Sequence, residues 1–291
     1  MYQEWKDLQP RIAELSQQGR YHELAPLMEQ AVFLTKEREG EDSLAYAAIL
    51  NDYGGIHRDI GNYQQAEQAF LAAKSLLQRL VGERDPNYGT TLNNLAGLYR
   101  LRRQWEQSEQ LFRETLSIYR ESLGEEHFLT ISCLNNLGLL YQDLGRYDQA
   151  DGLHKQSLKL LRCGEANEIA YATTVNNLAS AKRGQGNFVG VELLLREVLA
   201  IYQRTLGTEH SLYAYGLNNL AAYYNAAGDY EQAAAHYRQA LLLCRKLFGC
   251  HSRNYTVSLT NLAAMLVKLG QHEEADSLHR EARELQAGKN P

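Results

Sequence analysis

The chain has 291 residues, of which 44% are hydrophobic and 22% charged, and its formal net charge is -5. That charge offers no general attraction to nucleic acid or to an acidic membrane, and no apolar run approaches the roughly 18 residues of a membrane span. The scarcity of proline, together with abundant Ala, Leu, Gln and Glu, predicts helix almost throughout.

The cysteines and the start of the chain bear on the cellular compartment. Neither zinc-site nor disulfide-framework spacing is present among the cysteines, so we expect reduced thiols that pack as small hydrophobic groups. They are Cys133, Cys163, Cys244 and Cys250. The charged start MYQEWKDLQPRIAEL is unlike a secretory signal. We therefore expect a cytoplasmic protein.

The tetrad LNNL, or a close variant of it, recurs along the chain at a step of 41 or 42 residues. Its first residue falls at Leu50, Leu92, Leu134, Val175, Leu217 and Leu259. A second marker, typically Gly-x-aromatic, keeps the same step and begins at Gly61, Arg103, Gly145, Gly186, Gly228 and Gly270, with Gly19 as its extrapolated start. A fixed period of this length is typical of stacked helical repeats.

Each unit is predicted to contain two helices. The first helix, of about 14 residues, carries the LNNL element, and a mostly glycine-centred turn follows it. The second helix is longer and ends at a loop that reads VGERD, LGEEH, CGEAN, LGTEH or FGCHS. In both connections glycine suits the left-handed residue that ends a helix.

The period predicts an all-α fold, an α-solenoid of about seven helix pairs and hence about 14 helices, in one domain that spans residues 1–291. The first unit is degenerate in its opening half. The approximate units are 5–46, 47–88, 89–130, 131–171, 172–213, 214–255 and 256–291.

The pattern resembles the tetratricopeptide repeat (TPR), and specifically its 42-residue kinesin-light-chain type, with TLNNLA-x-LY, a G-x-Y-x-x-A turn and an LG-x-x-H loop. The resemblance covers about residues 5 to 291. It implies antiparallel helix pairs stacked into a right-handed superhelix, with the first helix of each pair lining a concave groove. It also implies ligands with a Trp or Tyr amid acidic residues. The long heptad segment of a motor subunit is missing, so we do not expect that role.

Two opposite stripes can be placed on each first helix from an advance of about 100° per residue. In the unit that contains TLNNL, the core stripe consists of Leu92, Leu95, Ala96 and Tyr99. The opposite stripe, called the outward face below, consists of Thr90, Asn94, Gly97 and Leu101 and their equivalents in the other units. It holds mostly Gly, Ala, Ser, Thr and Asn, which keep the surface low and leave room for a ligand.

Asparagines form two rows on the first helices. The outward row consists of Asn94, Asn136, Asn177, Asn219 and Asn261, and the flank row consists of Asn51, Asn93, Asn135, Asn176 and Asn218. A neutral amide can pair with both the N–H and the C=O of a peptide backbone, so we predict that the outward row holds an extended peptide. For the flank row we expect bonding between helices. The alternative for the outward row is that its amides bond to each other or to neighbouring helices, and the alternative for the flank row is contact with the ligand.

Other side chains complete the predicted groove. They are Asp52, Thr90, Ser132, Thr173 and Tyr215 on the outward face, and Arg58, Arg100 and Arg183 at the end of the first helix. The arginines could bind a carboxylate, or they could be solvated residues at a helix end. Asp52, Asp59 and Asp143 would oppose an acidic ligand. Stacking on a ligand and packing are equally open for Tyr215.

Recurrent aromatic and histidine residues are expected to be structural. The aromatic residues at the turn, expected to pack between helices, are Tyr63, Trp105, Tyr147, Phe188 and Tyr230. His127 and His210 precede matched helices, where hydrogen bonding at the helix start is favoured over a metal site. Their counterparts are Asp85, Asn167 and His251. No phosphate-binding loop, nucleophile elbow or zinc signature occurs, so we predict no cofactor, no metal and no enzymatic activity.

Three hypotheses of function follow. The first is a scaffold that binds an extended peptide or a partner protein's segment, possibly acidic and aromatic, with no nucleic acid or membrane partner. The second is a homo-oligomer in which another copy covers the groove or the apolar edge of the last helix, formed by Ala275, Leu278, Ala282 and Leu285. The third is a signalling-peptide receptor, because bacterial regulators of that kind also resemble this repeat.

Overall fold

A computed structural model describes residues 2–17, 20–163, 168–250 and 253–286. Within these ranges the chain forms fourteen α-helices and no strand, which confirms the predicted all-α fold of seven helix pairs. Two compact units, Met1–Glu165 and Ala166–Pro291, are distinguished by their internal contacts. A single solenoid over the whole chain stays a prediction.

The first unit contains eight helices in four pairs. They are α1 (Tyr2–Gln17), α2 (Tyr21–Glu39), α3 (Leu44–Asp59), α4 (Tyr63–Leu80), α5 (Pro86–Leu101), α6 (Trp105–Leu123), α7 (Phe128–Asp143) and α8 (Tyr147–Cys163). Each helix packs against the next one in the chain, and the first helices α3, α5 and α7 also contact one another in succession. First helices therefore form one layer and second helices another.

The second unit contains six helices in three pairs. They are α9 (Glu168–Gly184), α10 (Val191–Leu206), α11 (Ser211–Ala227), α12 (Tyr230–Phe248), α13 (Arg253–Lys268) and α14 (His272–Gln286). The same layering holds here, because α9 packs against α11 as well as against α10.

First helices are longer than predicted because polar residues cap them early. Asp85 accepts a hydrogen bond from the backbone N–H of Asn87 at 2.7 Å, so α5 begins at Pro86 and runs for 16 residues. His127 Nδ1 accepts from Leu129 N at 3.2 Å, and His210 Nδ1 accepts from Leu212 N at 3.1 Å. The predicted role of these histidines at the helix start is thus confirmed. Asn167 and His251 lie outside the described residues.

The turn between the two helices of a pair requires a left-handed residue. Gly61 has φ 89° and Gly228 has φ 86°, which glycine adopts without a Cβ penalty. Arg103 occupies the same place in the third pair with φ 59°, a left-handed conformation that is strained for a residue with a Cβ. Gly19 and the loop that begins CGEAN, at residues 164–167, lie outside the described residues.

A tyrosine ties the first helices α7 and α11 to the second helix that precedes each of them. In the first unit the Tyr141 hydroxyl donates to Glu109 Oε1 at 2.9 Å and accepts from Arg113 Nη2 at 2.7 Å. In the second unit Tyr224 makes the same bonds with Glu192 at 2.8 Å and with Arg196 at 2.7 Å. The final Tyr of the TLNNLA-x-LY pattern is therefore a connection between helix pairs.

The predicted apolar edge of the last helix is not a free surface. Ala275 is fully buried, Ala282 is 4% exposed, and Leu278 and Leu285 pack partly buried against the same core. The four side chains face α13, because α14 pairs with its first helix as every other second helix does. The expectation of an exposed edge at these residues is wrong.

The expectation of reduced cysteines that pack as small hydrophobic groups holds for the three described cysteine side chains. Cys133 and Cys244 are buried, Cys250 is partly buried, and all three are free thiols. Burial raises the pKa of the Cys133 thiol to about 12, which keeps it protonated. The side chain of Cys163 lies outside the described part of the chain.

The fourth pair holds a histidine at a core position where the second and third pairs hold Phe70 and Phe112. His154 is fully buried and faces Gly138, in the way that Phe70 faces Gly54. Its Nδ1 lies 3.0 Å from Asn135 Oδ1 and its Nε2 lies 2.8 Å from Gln142 Nε2. Burial lowers the pKa of His154 to about 4, although the nearby Asp151 carboxylate opposes that shift.

The buried histidine predicts a loss of stability in mild acid. Below the unfolded-state pKa of about 6.5, His154 is protonated in the unfolded chain. In the native protein it stays neutral until the pH falls to its lower native pKa. The free energy of unfolding should therefore be highest above the unfolded-state pKa. It should fall progressively as the pH drops from the unfolded-state pKa to the native pKa, by about 3 kcal/mol at most. Urea unfolding at several pH values measures this.

His154→Phe provides the control, since Phe70 already packs beside a glycine at the equivalent place. The variant should fold and should lose this share of the pH dependence. An unchanged dependence between pH 7 and pH 4 would show that His154 does not cause it.

Candidate functional site

The outward row is not uniformly exposed. Asn94, Asn136, Asn219 and Asn261 are half-buried, as expected for side chains on an open face. Asn177 is only 3% exposed. Helix α9 is buried around most of its circumference, including Asn176 and Asn177, so the prediction of an exposed face fails at Asn177.

The remaining residues of the outward face divide into free and engaged side chains. Asp52 and Ser132 are exposed, and Tyr215 is 41% exposed, so these three can meet a ligand. Thr90 and Thr173 are engaged within their own pairs, with hydroxyls 2.9 Å from Tyr119 Oη and 3.0 Å from Tyr202 Oη.

Those threonine bonds fix tyrosines of the neighbouring second helices. Burial raises the pKa of Tyr119 and that of Tyr202 to about 12, and the threonine hydroxyl opposes the rise in each case. Both phenols therefore stay neutral. Thr90 and Thr173 contribute to packing inside each pair.

The turn aromatics take part in packing to different degrees. Tyr63 packs against the core of α4 and α5, and Tyr230 packs against the core of the second unit. Trp105 and Tyr147 are half-buried. Phe188 stays 37% exposed but contacts Tyr223 edge-on, with ring centroids 6.2 Å apart.

In the first unit the asparagine amides bond between helices. Asn51 Nδ2 donates to Thr91 Oγ1 at 2.7 Å, and Asn136 Nδ2 donates to Asn93 Oδ1 at 3.1 Å. Each bond joins the first helices of two successive pairs. The flank row therefore connects helices here, as expected. One of its bonds, from Asn136 to Asn93, also engages a residue of the outward row.

In the second unit the equivalent amide pair is not bonded. Asn219 follows Asn176 by the same 43 residues that separate Asn136 from Asn93. Yet Asn176 is fully buried with no hydrogen-bond partner at Nδ2 or Oδ1, and Asn219 Nδ2 is also buried without a partner. Asn218 donates to the backbone of its own helix at Ala214 O, 3.2 Å away. Asn176 on α9 and Asn219 on α11 thus keep buried amide atoms without a partner, as Asn51 Oδ1 does on α3.

The two predicted groove arginines of the first unit, Arg58 and Arg100, form ion pairs with aspartates. Arg58 Nε lies 2.9 Å from Asp59 Oδ1, and Arg100 Nη1 lies 2.8 Å from Asp143 Oδ2 in the next pair. Asp59 and Asp143 were expected to oppose an acidic ligand, but they pair with the arginines instead. The sequence carried a signal for the second pair, because position 143 follows position 100 by one repeat plus one residue.

Arg183 is the exception. It is half-buried, and its Nη2 lies 3.4 Å from Ser180 Oγ. The place that Asp143 takes relative to Arg100 is occupied, relative to Arg183, by Ala226. No carboxylate within the described residues pairs with Arg183.

The described part of the chain contains no group of three or more His, Cys, Asp or Glu residues that could hold a metal ion. None of the described helices combines the length and the apolar character that crossing a membrane requires.

The tetratricopeptide repeat family matches the sequence at residues 46–121, 87–162, 170–241 and 214–287. Since these segments cover most of its length, the chain belongs to the tetratricopeptide repeat family. No curated protein sequence matches it.

Several solved structures share the fold at low sequence identity. BtubC (BKLC) from P. vanneervenii is 22% identical with a TM-score of 0.57, over 81% of this chain and 94% of that one. A Podosopora anserina protein with nearly identical TPR-like repeats of the kinesin-light-chain kind is 24% identical with a TM-score of 0.51, over 70% and 97%. A tetratricopeptide repeat protein from Parabacteroides merdae is 17% identical with a TM-score of 0.57, over 97% and 93%.

The bonded and the open amide should respond differently to truncation. Asn136→Ala removes a made hydrogen bond and leaves Asn93 Oδ1 without a partner, so it should destabilise the protein by about 1 kcal/mol. Asn219→Ala removes an amide that has no bond at Nδ2 and improves helix propensity, so it should stabilise by about 0.5 kcal/mol. Urea unfolding of both variants measures the difference. Equal effects of the two substitutions would contradict the assigned hydrogen bonds.

Proposed function

We propose that the protein is a non-enzymatic scaffold that binds an extended peptide, or an extended segment of a partner protein, on the outward face of its first helices. The observation that supports this is the composition of that face. Small residues and half-buried asparagine amides stand where a solvated helix carries long charged side chains, and Tyr215 lies exposed among them.

The outward face has the chemistry that an extended main chain requires. An asparagine amide offers two donors and one acceptor without net charge, so it can bind backbone N–H and C=O groups whatever the ligand's sequence. Specificity would come from Tyr215, which can stack on an apolar side chain, and from the helix-end charges. A cytoplasmic location remains a prediction.

Peptide binding can be tested by selection followed by mapping. A library of random peptides of about 12 residues, long enough to span about 40 Å when extended, would be selected against the full chain. Hydrogen exchange with the selected peptide would then be compared with that of the free protein. Protection should increase in first helices, such as α5 and α7 of the first unit or α11 of the second, because a ligand bound to either unit covers that unit's layer of first helices.

The matching second helices α6, α8 and α12 serve as the internal control. Protection confined to them would contradict the proposal, and so would the failure of the library to give any binder.

A homo-oligomer is the alternative, and one observation favours it. Helix α13 exposes Val257 and Val267, which are 45% and 44% accessible, on the last first helix described. The edge on α14 that first suggested self-association is packed against α13 and gives it no support.

Light scattering separates the two functions. A peptide scaffold should stay monomeric across micromolar concentrations, because its binding face is meant for another molecule. A mass that doubles with concentration, and that Val257→Asn/Val267→Asn returns to that of a monomer, would favour the homo-oligomer.

A further inference from the structure

A cleft of about 410 Å³ lies between the second helices α6 and α8 of the first unit. Both helices pack against α7, which supplies the floor of the cleft. The floor residues Leu134 and Leu137 belong to the core stripe of α7, on the side opposite to its outward face. A ligand bound to the outward face would therefore leave this cleft free.

The interior of the cleft is apolar. Leu134 is fully buried, and Leu137 and Leu116 are 3% and 8% exposed. The half-buried Leu153 on α8 forms part of the facing wall. An apolar pocket of this kind on a protein surface suits the anchor side chains of a partner, which bind best where they are desolvated.

The cleft differs from the equivalent place one repeat earlier, between α4 and α6. There two charged residues occupy positions that are uncharged here, and two uncharged residues occupy positions that carry arginine here. The replacements are Lys74 for Leu116, Glu114 for Gln156, Leu71 for Arg113 and Gln78 for Arg120. The α6–α8 cleft thus combines an uncharged interior with arginines at its rim, as the centre and border of a protein interface do.

The two rim arginines lie two helical turns apart, about 10 Å along α6. The Arg113 side chain is 60% exposed, and its Nη2 lies 2.8 Å from Glu109 Oε1 and donates to Tyr141 Oη at 2.7 Å. Arg120 Nε lies 2.9 Å from Glu125 Oε1, with both side chains partly exposed. Ion pairs as exposed as these contribute about 1 kcal/mol at most, so both guanidiniums stay available to the carboxylates of a partner.

The lining of the cleft has a net positive charge. Its described residues include the two arginines and one carboxylate, that of Glu121, whose Oε1 accepts a hydrogen bond from Ser117 at 3.2 Å. On α8, Lys159 follows Gln156 by about one turn, is exposed, and has no ion-pair partner within the described residues. Charge complementarity therefore favours an acidic partner.

We propose that the α6–α8 cleft is a second binding site, which takes an amphipathic, acidic helix of a partner protein. Two apolar side chains of that helix, one turn apart, fill the cleft, and carboxylates on its flank pair with Arg113 and Arg120. Side chains of a third helix fit between two helices as ridges into a groove, and residues seven apart on it match the spacing of the arginines.

The size of the cleft and the fold both favour a helix. A volume of about 410 Å³ is near the lower end of the roughly 300–1,000 Å³ of ligand pockets, so the cleft admits side chains and leaves the partner's backbone outside. An extended segment would find no strand edge to pair with among the described residues.

A library of monomeric three-helix bundles, randomised along the exposed face of one helix, provides the probe. It would be selected on the full wild-type chain and depleted on Ser117→Trp, which fills the cleft from its rim. The retained binders should share two apolar residues one turn apart and acidic residues beside them. They should bind Ser117→Trp about ten-fold or more weakly. Ser75→Trp, at the equivalent exposed position of α4, should change the affinity less than about two-fold.

The rim charge is tested by a second matched pair at exposed positions of α6 and α4. Arg120→Glu should weaken the retained binders about ten-fold, because it places a carboxylate against their acidic flank. Gln78→Glu introduces the same charge one repeat earlier and should change the affinity less than about two-fold. Thermal unfolding checks that all four variants fold, and this pair decides the outcome if Ser117→Trp does not.

Three results would overturn the proposal. They are a depletion that leaves no binder, retained binders without acidic residues, and equal losses for Arg120→Glu and Gln78→Glu. A second copy of the chain is the other occupant to test, because Val189 and Leu193 lie four residues apart and are 85% and 73% exposed. Self-association in sedimentation that Ser117→Trp abolishes and Ser75→Trp does not would assign the cleft to that copy and overturn the partner helix.

Discussion

The hydrogen bond from Asn136 Nδ2 to Asn93 Oδ1 shows the constraint on which the proposed binding surface depends. The period places equivalent residues of successive helix pairs beside one another, so each polar side chain on a first helix has a preset neighbour in the next pair. If that neighbour is complementary, the two side chains bond to each other within the fold. If it is not, the group stays available for a ligand.

The same constraint explains the distribution of charge. Arg100 donates to Asp143 in the next pair, and Lys268 donates to Asn225, in both cases across 43 residues. The residue 43 positions after Arg183 is Ala226, which has no side-chain acceptor. A repeat protein can therefore create a binding subsite by replacing a single complementary residue in one copy, without altering the fold that the other copies maintain.

Equivalent positions of the core can likewise hold different residue types in different helix pairs. The core position that holds Phe70 in the second pair holds His154 in the fourth, and both rings fill the space that a glycine leaves on the facing helix. Burial lowers the pKa of the histidine, so its presence should link stability to pH.

The period alone predicted the helix pairs, the turn glycines and the capping role of His127, because these are local consequences of a repeated pattern. The exposure of particular residues could not be predicted in this way. Asn177 has the same helical phase as Asn219, yet only Asn177 is buried, since exposure depends on what packs around α9. The two apolar leucines of α14 were misjudged for the same reason, as they face α13.

The side-chain amides themselves provide the most direct test of this account. In NMR spectra of protein labelled with ¹⁵N-asparagine, the Nδ2 resonances of Asn136 and Asn219 can be assigned with the two alanine variants. The account predicts that the selected peptide shifts the Asn219 resonance, while that of Asn136 stays unchanged. Movement of the Asn136 resonance alone would show that the bonded pair opens for the ligand, and would contradict it.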